Sequence, residues 1–184
     1  MWCTSGLMCK NIINKSNIII MYTKSILPVL FFLFSLNVFA QHTVIDKLSN
    51  TTDIKVVWEV STDNMEKGIG AGLLYPEMQF SRYEFLGVPK ENYKLSVVVH
   101  SAAGKFLLND EAYKKATGSN DPNPNKDQVA KLIGQGVSVE LCIVTMEMNK
   151  WTESDLLPGV AVIYVGAYPR LTDLQYQGYK YIKF

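Results

Sequence analysis

Apolar and polar positions along this chain fall into short blocks whose period changes repeatedly. Ile54-Lys-Val-Val-Trp-Glu-Val60 is rich in β-branched residues and closes on the turn formers Ser61 to Asn64, which predicts a first strand. From Met65 to Leu86 the apolar residues fall at mixed helical spacing. Pro76 suits a first helical turn and Gly87-Val88-Pro89 a stop, so a helix is predicted over Tyr75 to Leu86. Tyr93 to His100 reads as the second strand, ending in the small residues Ser101 to Gly104. Asn109-Asp-Glu opens a short helical stretch through Ala116, and Gly118 to Asn125 is a loop crowded with Asn, Asp and Pro. Lys126 to Ile133 reads as a helix closed by Gly134 and Gly136, and Val137 to Cys142 as the third strand. A connecting region follows, in which Thr152 to Leu156 begins on a capping residue. Val160 to Val165 is continuous and apolar, the pattern of a parallel strand buried on both faces. Tyr168 to Gln177 is the last predicted helix, and Tyr179 to Phe184 a closing edge strand.

Strands alternating with helices predict an α/β protein, a three-layer α/β/α sandwich of the flavodoxin-like class with a mainly parallel sheet of about five strands. One domain is expected over residues 54–184, after a polar lead-in over residues 41–53. Right-handed crossovers place ligands at the carboxyl ends of such strands, where His100 and Cys142 both fall.

The first 40 residues read differently. Met21-Tyr-Thr-Lys24 is a short positive stretch, Ile26 to Phe39 is almost wholly apolar, and Val38-Phe39-Ala40 has the pattern a signal peptidase reads. The apolar run is shorter than the roughly 20 residues a spanning helix needs, so cleavage before Gln41 is expected, with no stable membrane insertion afterwards. Residues 1–20 add no signal-peptide feature, and the expected start of translation is Met21. The expected address is the periplasm, with secretion as the alternative. Charge supports a further exclusion. The chain has 18 basic and 17 acidic residues, and Lys10, Lys15 and Lys24 precede Ala40. Without them the balance is about −2 with no dense basic run, which leaves no electrostatic case for nucleic acid. Cys3 and Cys9 also precede the cleavage point, so Cys142 is left as a lone thiol: buried and inert, paired with another molecule, or chemically used.

Five strings taken in order, Gly87-Val-Pro-Lys-Glu-Asn92, Val97-Val-Val-His100, Leu107 to Lys115, Leu156-Leu-Pro-Gly-Val160 and Leu174-Gln-Tyr-Gln-Gly-Tyr179, resemble the exported branch of the DsrE/DsrF-like family. The resemblance implies a compact α/β domain assembling into homo-oligomers, and a cysteine that carries sulfur as a persulfide. Cys142 lies where a Cys-Gly-Gln-Ser type turn is implied, although Ile143, Val144 and Thr145 follow it here. Ser101 stands where the resemblance implies Gly, and Ser81 and Tyr83 where it implies Asn and His.

Cys142 is therefore the candidate sulfur acceptor, with a sulfur-donor protein or small sulfur species as partner. A thiol at a strand's carboxyl end can be exposed and held as thiolate by backbone N–H groups. The alternative is a packed cysteine beside Leu141 and Ile143 in a non-catalytic ligand-binding or assembly module. His100 and Ser101 are the candidate binding residues, with His100 serving either as acid, base or anion ligand, or as a structural hydrogen-bonding residue. His42 lies in the lead-in and reads as solvated. Gly68-Ile-Gly-Ala-Gly72 misses the nucleotide-binding spacing and reads as a mobile connection. No G-x-S-x-G or Walker pattern occurs, no carboxylate pair stands out, and neither cofactor nor metal is expected. The aromatics Trp151, Tyr164, Tyr168, Tyr176, Tyr179, Tyr181 and Phe184 are expected to cover the sheet edge or a subunit interface, with core packing an equal reading for Tyr164.

Overall fold

The structure, a computed structural model, describes residues 44–184. The expected start at Met21, the apolar run, the cleavage point, Cys3, Cys9 and His42 lie outside the described residues. Residues 44–53 of the lead-in are exposed. In chain order the elements are β1 (Ile54–Val60), β2 (Met65–Glu66), β3 (Ile69–Gly70), α1 (Ala71–Phe85), β4 (Tyr93–Val99), α2 (Asp110–Thr117), α3 (Lys126–Gly134), β5 (Ser138–Cys142), α4 (Ile143–Asn149), β6 (Ala161–Ile163), α5 (Ala167–Tyr176) and β7 (Lys180–Lys183). No helix among the described residues is long and apolar enough to cross a membrane.

Five strands form one sheet in the order β6-β5-β4-β1-β7, and every neighbouring pair is parallel. The central strands β1 and β4 are largely buried on both sides because helices cover both faces. Alternate residues point to opposite faces. Val56, Trp58, Val60, Leu95, Val97, Val99, Val139 and Leu141 meet Leu73 and Phe80 of α1, Val129 and Leu132 of α3, and Phe106. On the other face Val57, Val98 and Cys142 meet Ala167, Leu171 and Leu174 of α5. The chain steps from β1 through β4 and β5 to β6 in one direction, then returns across the sheet to β7. Right-handed crossovers therefore put α5 opposite α1 and α3. The three-layer architecture expected from the sequence is the one observed.

Local chemistry explains the boundaries. Asn109 caps α2 by accepting the Ala112 N–H at 2.9 Å, and Gly118 ends it at φ 71°. Thr152 and Asp155 form the capping box of a short 3₁₀ turn. Within the polar loop before α3, the buried Asn123 donates to the carbonyls of Phe106 and Leu108 at 2.9 and 2.6 Å. Asn125 accepts the Gly70 N–H at 2.6 Å, which ties the hairpin to that loop.

Four expectations need correction. The Gly68–Gly72 segment is no mobile connection: Lys67 and Gly68, both at positive φ, turn the β2–β3 hairpin. A Cβ on Gly72 would lie 2.2 Å from Val60 Cγ1, so glycine is what lets α1 begin at Ala71, ahead of the expected Tyr75, and leaves Pro76 inside the helix. The region after Cys142 is helical; its β-branched Ile143, Val144 and Thr145 hide α4 from a propensity reading. Val160–Val165 is no doubly buried strand. Only Ala161–Ile163 pairs, at the sheet edge, and Tyr164 and Val165 project into solvent, which also removes the core reading of Tyr164.

Candidate functional site

Three strand ends converge with the start of α5. Cys142 closes β5, His100 follows β4, and Tyr164 to Gly166 follow β6. Between them lies a cavity of about 580 Å³ whose wall includes His100, Ser101, Cys142, Thr145, Met148 and Tyr168. The location is the one expected for ligands in a parallel sheet. Cys142, His100 and Ser101, the three residues singled out from sequence, are thus brought to one site. Ser81 and Tyr83 are not: they sit on α1, bonded to Glu77 and Gln79 respectively.

Cys142 is 5% exposed and packs with Val57, Val98 and Ile163 on the α5 side of the sheet. Leu141 and Ile143, the neighbours expected to pack beside it, belong to the opposite core. Cys142 occupies the N-cap position of α4 without a side-chain capping bond. What exposure the residue has is therefore to the cavity.

His100 is equally buried and has both ring nitrogens engaged. Its Nε2 lies 3.1 Å from Glu59 Oε1 and its Nδ1 2.8 Å from Ser101 Oγ. The Tyr168 ring stands edge-on against the imidazole at 5.4 Å. Glu59, 3% exposed, also accepts a hydrogen bond from the Tyr181 hydroxyl and has Lys183 Nζ at 3.4 Å. Burial pushes the Glu59 carboxyl up, but the Tyr181 and His100 hydrogen bonds and the Lys183 charge outweigh it and hold the group below its ordinary value. Burial and the same carboxylate push the Tyr181 hydroxyl up to about 12, so Tyr181 is a donor throughout the physiological range. In a neutral imidazole, an ionised Glu59 selects the tautomer in which Nε2 carries the proton and donates it, leaving the Nδ1 lone pair to accept from the Ser101 hydroxyl.

Ser101 has φ 56°, the left-handed region that costs a residue with a Cβ about 1–2 kcal/mol. Two bonds hold it there. Its N–H donates to Thr145 Oγ1 at 2.9 Å, and its hydroxyl meets His100. Unlike the buried His100, Ser101 is exposed.

A second buried carboxylate lies further along the same face. Glu140 on β5 receives Arg170 Nε and Nη2 at 2.8 and 3.0 Å, and the hydroxyls of Ser96 and Ser138 at 2.9 and 2.8 Å. Burial raises its carboxyl, and these donors reverse the shift and lower it. Sequence reasoning missed Glu59 as a partner of His100 and Glu140 as a second buried carboxylate, yet a signal exists: each is an acidic residue inside an apolar strand, at the parity that faces α5. Among the described residues no group of three His, Cys, Asp or Glu side chains comes together as a metal site.

The fold and site can now be set beside known proteins. No curated protein matches the chain. Among solved structures it is similar to MTH1491 of Methanobacterium thermoautotrophicum, a protein of unknown function, at 23% identity and a TM-score of 0.51, covering 72% of this chain and 100% of that one. It is also similar to the ychN protein of E. coli, at 18% identity and a TM-score of 0.49, covering 71% and 99% of the two chains. A family model for the DsrE/DsrF-like family matches residues 75–184, from within α1 through β7. With that match spanning more than half of its length, the chain belongs to the DsrE/DsrF-like family.

Proposed function

We propose that the protein handles sulfur, with Cys142 as a persulfide-forming acceptor. The observation that carries this reading is the placement of Cys142 on the wall of the strand-end cavity beside His100 and Ser101. Family membership supports it. The thiolate attacks the terminal sulfur of a polysulfide, a new S–S bond forms, and the shortened polysulfide leaves with the electron pair of the broken S–S bond. Because access runs through the cavity, small sulfur species or a donor able to reach into it are the fitting partners. Incubation with inorganic polysulfide is expected to add one sulfur atom to the intact mass, and Cys142→Ser to lose the adduct. A native protein that gains no sulfur while its denatured form does would overturn the reading.

The second reading is a ligand-binding or assembly module without sulfur transfer, favoured by the apolar side chains of Val144, Met148, Val165 and Pro169 on the cavity wall. Homo-oligomerisation is part of either reading and is supported by the exposed Tyr164, Val165, Tyr168 and Tyr176. Export follows from the N-terminal pattern, and the mass of the protein recovered from its native host reads cleavage before Gln41 directly.

A further inference from the structure

We propose that Ser101 is an activated nucleophile, able to take an acyl group from an ester of a small uncharged carboxylic acid, because a hydrogen-bonded chain runs from buried Glu59 through His100 to its exposed hydroxyl in the cavity. The proposal is independent of sulfur chemistry at Cys142.

The arrangement has the three parts a nucleophilic serine needs: a hydroxyl, a base in hydrogen-bond contact with it, and a carboxylate that orients the base. The ring nitrogens are exchanged relative to the usual serine triad, with Nδ1 toward the hydroxyl and Nε2 toward the carboxylate. Either nitrogen of imidazole can act as the base, so the exchange leaves the chemistry intact. The backbone contributes as well. Ser101 sits at positive φ on a sharp turn between strand β4 and the 3₁₀ helix Ser101–Leu107, which projects its hydroxyl at the carboxyl end of the sheet. This is the geometry that a nucleophile elbow supplies. The G-x-S-x-G pattern is absent because Val99 and Ala103 fill the flanking positions. Ala102, whose N–H follows the nucleophile, also lines the cavity.

In the reaction Ser101 Oγ attacks the ester carbonyl carbon and its proton passes to His100 Nδ1. The carbonyl π electrons move onto oxygen. Collapse of that intermediate breaks the bond to the leaving alkoxide, which takes the proton back from Nδ1. Water then repeats the sequence on the acyl-serine, giving its proton to Nδ1, releasing the carboxylic acid and returning the proton to Ser101. The imidazolium formed in each half lies against Glu59. The other polar or charged groups facing the imidazole and its carboxylate are Tyr168 from α5, and Tyr181 and Lys183 from β7. Among the described residues no charged side chain lines the cavity, and its walls at Val144, Met148 and Val165 suit a short apolar acyl group.

The test uses a fluorophosphonate, which reacts with activated serine hydroxyls by forming a P–O bond and expelling fluoride. On the full chain, the adduct is expected on Ser101 by peptide mapping and absent from Ser101→Gly, a change that relieves the backbone strain and keeps the fold. Glu59→Gln is expected to slow labelling about 100-fold. No adduct on Ser101, or an adduct rate unchanged in folded Glu59→Gln, would each overturn the proposal. Hydrolysis of p-nitrophenyl acetate with an initial burst of product gives a second readout, lost in the same variants.

Discussion

Under α1 and α3 the sheet presents valine, leucine and tryptophan side chains to a continuous apolar core, while under α5 the same strands present Val57, Glu59, Ser96, Val98, His100, Glu140 and Cys142. One helix covers this second face, whereas α1, α3 and α4, the last through Met146, pack on the first. The apolar face gains from burial alone, and every methylene there counts toward holding the layers together. The mixed face carries two buried carboxylates, which are costly to desolvate and hold their places only through donors from α5, β7 and neighbouring strands. The difference teaches where function can be lodged: the face with spare polar groups and a single helix is also the face with the cavity.

Breaking the apolar face should have the largest effect. Phe106, fully buried and in van der Waals reach of Gly70, is expected to cost about 4 kcal/mol when replaced by alanine, read as a lowered urea midpoint. Arg170→Met comes next. It leaves Glu140 buried and unpaired, with an expected loss of about 3 kcal/mol. The paired replacement Arg170→Met with Glu140→Leu sharpens the comparison, since it extends the apolar chemistry of the first face to the second. It should recover most of the loss in the same denaturation experiment, because no charge is left unpaired.

The smallest effect is the pH dependence of that ion pair. The Glu140 carboxyl is lowered in the folded protein from an ordinary 4.5, so its stabilisation is fully present above that value and is lost as pH falls through the lower folded value. Glu140→Gln is therefore expected to be less stable than the unaltered protein at neutral pH, with the gap narrowing in acid. Parallel acid titrations followed by circular dichroism measure it. A constant gap across the acid range would mean that Glu140 stabilises by shape, not by charge.

Much of the architecture was legible because the central parallel strands are buried on both faces and so appear as runs of Val, Leu and Trp. Helices with caps were legible too: Asn109 and Gly118 bracket α2 in sequence as they do in space. What failed were elements whose local composition opposes their tertiary setting. Helix α4 opens on three β-branched residues, and Val160–Val165 is apolar through Tyr164 and Val165, which turn outward at the sheet edge. For the site, Cys142 and His100 could be found because each ends an apolar strand. Glu59 and Tyr181 could not be paired from sequence, since their hydrogen bond joins positions 122 residues apart. Ser101 was visible only as a departure from glycine; its φ and its bond to His100 give that departure a physical meaning.

The placement of β7 beside β1 bears on the order of folding. β1, β4, β5 and β6 pair as near neighbours in sequence order, and each can form once the helix between has docked. β7 must instead cross the whole sheet, and its pairing of Val56 with Lys180 and of Glu59 with Lys183 closes the longest loop in the described fold. Loop closure of that length is paid before any contact repays it, so β7 is set to dock late. Until it does, Glu59 lacks Tyr181 and Lys183, and one edge of β1 stays open. The last step of folding is then also the step that completes the carboxylate behind His100, and an intermediate lacking β7 would be collapsed yet chemically unfinished.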